Sequence, residues 1–213
     1  MYKKLATLGM TLLLAGALSA CSFNDDNNPS SNNSSSNESG SESGNEAQVA
    51  NEGNSESVSE DGLQNKNFDM SYEDAVDAVK NKHNDAEISS IELEKSLGRY
   101  VYTVDGISND NEYEMKFNAE TNEQLSDETD RLDQEDAGGA EKENEKLNLN
   151  GIKTPREAMD KAVSQQTGDV ISWNIERELD TTYYEVTVNH DNQKYDIKLN
   201  AKTLEVLQTE QDD

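Results

Sequence analysis

Residues 113–125 read YEMKFNAETNEQL, and residues 195–207 read YDIKLNAKTLEVL. The two stretches lie 82 positions apart and share Tyr113/Tyr195, Lys116/Lys198, Asn118/Asn200, Ala119/Ala201, Thr121/Thr203, Glu123/Glu205 and Leu125/Leu207. Between these, Glu114/Asp196, Met115/Ile197 and Phe117/Leu199 hold like for like. An internal repeat of this kind means that one small structural unit occurs twice. In both copies apolar residues alternate with polar ones, the period of a strand that buries one face.

The same order of elements precedes each stretch. In the first copy Ser71 and Asp74 form a capping box, and Tyr72, Ala75, Val76 and Val79 then fall on one helical face, with a stop near His83. Ile91, Leu93, Lys95 and Leu97 alternate with Glu92, Glu94 and Ser96 as a first strand, Tyr100 to Val104 form a second, and Tyr113 to Phe117 a third. In the second copy Thr154 caps, Pro155 takes the first helical position and Glu157 closes the box, with Ala158, Met159, Ala162 and Val163 as the apolar stripe. Strands follow through Ile171–Leu179, Tyr184–Val188 and Tyr195–Leu199, with Leu204 to Leu207 as a short fourth. The expected fold class is α+β: two tandem repeats, at 67–126 and 151–213, each a helix packed across a three- to four-stranded antiparallel sheet. Residues 127–150, acidic and carrying Gly138-Gly139, read as an exposed linker with a short helix over Ala140–Leu147.

The helix starts at Ser71 and Thr154, the strands around Tyr100 and Tyr184, and the stretches Tyr113–Thr121 and Tyr195–Thr203 together resemble the PepSY domain family. The resemblance covers most of 68–125 and 152–210. Where the family carries Thr-Gly after the third strand, this chain has Thr121-Asn122 and Thr203-Leu204. Asn tolerates positive φ and Leu does so poorly, so the second turn is expected to take another form. PepSY domains are similar to parts of the propeptides of secreted metallopeptidases. The resemblance implies a module that binds or restrains a peptidase near the cell envelope, and it supplies no catalytic residues.

The N-terminus addresses location. Lys3 and Lys4 precede an apolar stretch, Leu5 to Ala17, that is shorter than the about 20 residues of a membrane span. Leu18-Ser19-Ala20-Cys21 resembles the lipobox of bacterial lipoproteins, which implies a signal peptide over 1–20, cleavage between Ala20 and Cys21, and lipidation of Cys21. Two acyl chains suffice for stable anchoring. Cys21 is the one cysteine in the chain. Its lipidation removes disulfides, a Cys nucleophile and thiolate metal sites from consideration. An exported chain without disulfides points to a Gram-positive host and a place on the outer face of the cell membrane. Residues 21–66, rich in Ser, Asn, Gly and acids, cannot bury enough apolar surface to fold. They read as a disordered tether with a root-mean-square span of about 35–40 Å.

Charge narrows the partners. With 45 acidic and 18 basic residues the formal charge is −27, so nucleic acid is excluded as a partner. A protein partner such as a peptidase, or a cell-wall component, remains. His83 and His190 lie in different repeats and form neither a zinc-peptidase pair nor a triad, and both read as solvated. Ser108–Glu112 and Asn189–Asn192 are oxygen-rich, but they lack the ordered ligand spacing of a calcium loop and read as turns. No catalytic residue, metal or cofactor is assigned. Lys95 and Arg177 align between the copies, and each interrupts an apolar register. A snorkelling stem explains such a residue. Alternatively, each repeat presents a cation beside aromatic residues to a partner carboxylate, with Lys95, Tyr100 and Tyr102 in one copy and Arg177, Trp173 and Tyr184 in the other. The expected function is therefore a membrane-anchored extracytoplasmic binding protein that modulates or inhibits a peptidase. A cell-wall or small-ligand sensor is the alternative.

Overall fold

The structure, a computed structural model, describes residues 62–212. They lie within one compact unit, Gly53–Asp213. The signal peptide, Cys21 and nearly all of the expected tether lie outside the described residues.

Each repeat begins with the helix its capping box encodes. Helix α1 spans Tyr72–Lys82, and α3 spans Pro155–Gln165. Ser71 and Thr154 each accept a hydrogen bond from the backbone N–H three residues on, and the Asp74 and Glu157 carboxylates each accept one from the cap's own N–H. Four strands follow each helix: β1 Glu87–Ser96, β2 Arg99–Ile107, β3 Asn111–Asn118 and β4 Gln124–Arg131 in the first repeat; β5 Asp169–Glu178, β6 Thr181–His190, β7 Gln193–Asn200 and β8 Val206–Gln211 in the second. A short helix, α2, occupies Ala140–Glu145. The segment expected as a linker thus begins as a strand, because β4 continues five residues beyond Ser126 to Arg131.

Among the described residues the eight strands make one antiparallel sheet in the order β4-β3-β2-β1-β5-β6-β7-β8. The repeats therefore share a sheet rather than standing as separate beads. They join where β1 pairs with β5, with Ile91 opposite Ile175, Glu92 opposite Asn174 and Leu93 opposite Trp173. Glu92 and Asn174 are 82 positions apart, so they are equivalents across the repeat. A local two-fold axis passes through that pair.

The helices cover one sheet face. Alternation sends Ile91, Leu93, Tyr102, Val104, Met115, Phe117, Trp173, Ile175, Tyr184, Ile197 and Leu199 to that face, where they form a continuous core. Trp173 is its hub, with ring centroids 6.1–6.4 Å from those of Tyr72, Tyr102 and Tyr184. The segment ahead of each helix reaches across to the other repeat. Leu63, in a single 3₁₀ turn (Leu63–Asn65), is buried. The Gln64 side chain accepts from the Val170 N–H at 2.9 Å and donates to the Gly168 carbonyl at 3.3 Å. In the second copy the Leu147 N–H donates to the Ile88 carbonyl at 2.7 Å. Residues 62–66, expected to belong to the disordered tether, are thus part of the fold, because Leu63 completes the core at the repeat junction.

The turns after β3 and β7 take the same form, contrary to expectation. Asn122 and Leu204 both adopt positive φ, 59° and 56°. In both copies the N–H of Asn118 or Asn200 donates to the carbonyl of Glu123 or Glu205, at 2.8 and 2.9 Å. Leu204 packs its half-buried side chain against the core, which offsets the strain of its backbone.

Candidate functional site

The face of the sheet away from the helices carries no covering layer among the described residues. The polar half of each strand alternation points there. Across the middle of this face the register lines up Ser126, Lys116, Thr103, Glu92, Asn174, Glu185, Lys198 and Gln208, one residue per strand. On the rows beside it stand Glu94, Asp105, Glu114, Glu128, Asp196 and Glu210. Carboxylates thus outnumber the cations Lys116, Lys194 and Lys198 on this surface. Lys116 pairs with Glu114 at 3.0 Å, and Lys198 reaches Glu178 at 3.2 Å while lying 4.0 Å above the Tyr183 ring.

Crowding on a pleated surface has an electrostatic consequence. Partial burial, and then the charges of Glu94 and Glu176, push Glu92 up to about 7. Burial, and then Glu114 and Glu92, push Asp105 up to about 7 as well. Burial also raises Glu185 and Asp196, although the Thr187 hydroxyl, 2.7 Å from Asp196, opposes the second shift. Desolvation disfavours the charged carboxylate, and like charges add to that. The Oδ1 atoms of Asp105 and Asn174 and the Oγ of Ser126, all on this face, are buried without a hydrogen-bond partner.

Within the face lies a shallow depression of about 370 Å³. Glu92, Glu94, Glu185, Asp196 and Asp212 line it together with Lys95 and Lys194, and Ile171 adds an apolar surface. Ile171 reaches it because β5 carries a register shift between Val170 and Ser172. Five carboxylates against two lysines leave this depression net negative beside the aliphatic Ile171, which suits a Lys or Arg side chain with its aliphatic stem and cationic head.

The structure brings together few of the residues singled out from the sequence. Tyr100 and Tyr102 are buried, Trp173 is 1% exposed and Tyr184 fully buried. They are core residues rather than a binding surface, because the helices and the shared sheet enclose them. The Tyr184 hydroxyl is spent on the Lys153 carbonyl at 2.7 Å. Arg177 is spent as well. It donates to the carbonyls of Leu179, Glu143 and Lys146 at 2.8, 2.9 and 3.1 Å and pairs with Asp180 at 3.1 Å. Two of those carbonyls belong to the end of α2, so the guanidinium ties that helix to β5. Beside it an open cleft of about 630 Å³ is lined by Lys80, Glu87, Lys146, Leu149 and Arg177. Lys95 remains exposed, its Nζ 5.5 Å from the centre of the Tyr100 ring.

His83 is not a solvated residue. Its ring stacks on Tyr113 at 4.1 Å, and Nε2 lies 2.9 Å from Asp127. Lys82 and then His83 hold the Asp127 carboxyl below its usual range. The oxygen-rich loops are turns. Ser108 Oγ donates to the Asn111 carbonyl, and Asp191 and Asn192 take the two positive-φ places of the β6–β7 turn. Among the described residues no group of His, Cys, Asp and Glu is arranged to hold a metal ion.

Comparison with known proteins agrees with this architecture. The model of the family described as peptidase propeptide and YPEB domain matches residues 69–128 and 152–210. The crystal structure of a candidate lipoprotein from Clostridium difficile is 40% identical in sequence. It covers 71% of this chain and 99% of its own, with a TM-score of 0.69. No curated protein matches the chain.

Proposed function

Because the chain belongs to the PepSY family, whose domains are non-catalytic regulatory modules, we propose that it is an extracytoplasmic binding protein, anchored by lipid on Cys21, that modulates or inhibits an envelope or secreted peptidase. The observation that carries the reading is the net-negative depression on the uncovered sheet face. Glu92, Glu185 and Asp196 line it beside Ile171, with Lys95 and Lys194 only partly balancing the five carboxylates, and the protons of Glu92, Glu185 and Asp196 are held more tightly than in water. A Lys or Arg presented by a partner relieves that crowding when it enters, so the face favours a cationic surface.

The test is capture of secreted and envelope proteins of the host on residues 22–213, with Glu92→Lys/Glu185→Lys as control. A peptidase retained by the parent chain, released by the variant and altered in activity on addition of the chain supports the proposal. A second reading, a cell-wall or small-ligand sensor, has the open cleft beside α2 in its favour. Binding of purified wall polymer with no peptidase retained would move the assignment there. The anchor has its own test: incorporation of labelled palmitate into the parent chain and its loss in Cys21→Ser. An unlabelled parent chain would sink that part.

A further inference from the structure

The hairpins β1–β2 and β5–β6 turn through two residues each, Leu97-Gly98 and Leu179-Asp180. The first residue of each turn is a leucine at positive φ, 49° and 54°, and these leucines are 99% and 87% exposed. Such turns favour Asn or Gly in that place, since a branched side chain at positive φ is strained. A leucine there is unfavourable twice over, in its backbone and in its exposed apolar surface. Neither cost is offset within the described residues.

The two tips differ in charge. Lys95 and Arg99 flank Leu97, whereas Arg177, Glu178 and Asp180 surround Leu179, and Arg177 is consumed by α2. Lys66 joins the first group, its Nζ 6.0 Å from the Tyr100 ring that Lys95 also approaches. Among the described residues, Lys66, Lys95 and Arg99 form no ion pair with a carboxylate. These three cations gather at the first tip, whereas the second has one cation, already engaged, and two carboxylates. The neighbouring β3–β4 turn is bonded at the level of Tyr100, through the Ala119 N–H to its carbonyl at 2.9 Å.

The chain enters the fold at that same end. Gln64 is bound to Gly168 and Val170 at the start of β5, and the start of β5 lies beside the end of β1 because Glu94 faces Ser172. About 40 residues separate Cys21 from the first described residue.

We propose that the β1–β2 tip, Leu97 flanked by Lys66, Lys95 and Arg99, docks on an anionic lipid bilayer, and that the β5–β6 tip does not. The proposal rests on the membrane anchor proposed above. Leu97 enters the interface while the cations meet lipid phosphates, and the acidic face and edges stay in water.

The test supplies the anchor chemically, so that it does not depend on modification of Cys21. Residues 22–213, which contain the whole compact unit, carry an N-terminal hexahistidine held by nickel-chelating lipid in vesicles. A single cysteine, Leu97→Cys or Leu179→Cys, bears an environment-sensitive fluorophore. The expected result is a blue shift of the 97 probe on vesicles rich in phosphatidylglycerol and none on pure phosphatidylcholine. High salt should abolish the shift, and so should Lys95→Glu/Arg99→Glu with an unchanged melting curve. The 179 probe should read as in buffer on both. A silent 97 probe on the anionic vesicles, or equal responses at 97 and 179, overturns the proposal. A 97 probe that responds to an envelope protein but not to lipid assigns the tip to a protein and overturns it too. Failed palmitate labelling with a positive vesicle result would refute only the anchor.

Discussion

Glu92 stands on the local two-fold opposite Asn174, its equivalent in the second repeat. A carboxylate at one copy and an amide at the other keeps two like charges from facing each other on the axis. The remaining crowding makes stability depend on pH. Glu92 and Asp105 are raised to about 7 in the folded chain, against about 4 when unfolded. The folded state therefore holds protons that the unfolded state has released. Stability from this source is complete below about pH 4 and is lost as pH rises through about 7. Asp74, Asp127 and Glu157 are lowered, so their contribution disappears only on acidification below the usual carboxylate range. Thermal unfolding followed by circular dichroism should show a higher melting temperature near pH 6 than near pH 8. Glu92→Gln/Asp105→Asn should flatten most of that difference, worth on the order of 2–3 kcal/mol. Equal pH dependence in parent and variant would contradict the assignment. At this scale the sequence was least legible. The acids of the open face are visible as the polar half of each alternation, but only the pairing of β1 with β5 brings Glu92, Glu185 and Asp196 around one depression. The aromatic candidates misled for a related reason: alternation gives the face on which Tyr184 lies but not what covers that face.

At the scale of elements, capping boxes and alternation were enough to place α1, α3 and six of the strands, and the short strand read at Leu204–Leu207 overlaps the start of β8. Strand β4 was not legible, because Gln124–Arg131 is an almost wholly exposed edge with four charges and hardly any apolar alternation. It exists because β3 offers it a ladder. The register shifts before Ser90 and Ser172 were equally hidden, since a bulge leaves no compositional mark here. Substituting either helix cap, Ser71→Ala or Thr154→Ala, should cost about 1 kcal/mol in denaturant unfolding. The arm ahead of α1 is a sharper case, since composition assigned it to the tether and burial assigns it to the core. Leu63→Ala should cost about 2–4 kcal/mol, whereas removal of a residue from a disordered tether would leave the unfolding midpoint unmoved.

For the whole molecule, the repeat foretold two copies but not their fusion into one sheet. A 60-residue unit with an apolar first strand is read as a domain, yet Ile91, Leu93, Trp173 and Ile175 are buried by the other copy as well as by their own helix. The halves should not be independent. Residues 62–138 and 139–213 expressed separately are expected to lack a cooperative thermal transition and to bind a hydrophobic dye, and mixing them should restore part of the transition. Two separate cooperative melts would show that the junction is dispensable.

The exchange of arms and the central β1–β5 ladder also set the order in which the chain becomes whole. Ile91 meets Ile175 only after 84 further residues are available. Whichever way the chain is delivered from its N-terminus, β1 waits beside β2 with one ladder of backbone donors and acceptors unfilled, and Leu63 has no Val170 region to rest on. That interval lasts as long as the delivery does, some seconds where it keeps pace with synthesis at about 5–20 residues per second. During it the first repeat presents a bare apolar edge, open to a second nascent chain or to a chaperone. The centre of the sheet, the most protected place in the finished protein, is thus the part of the first repeat that stays open longest.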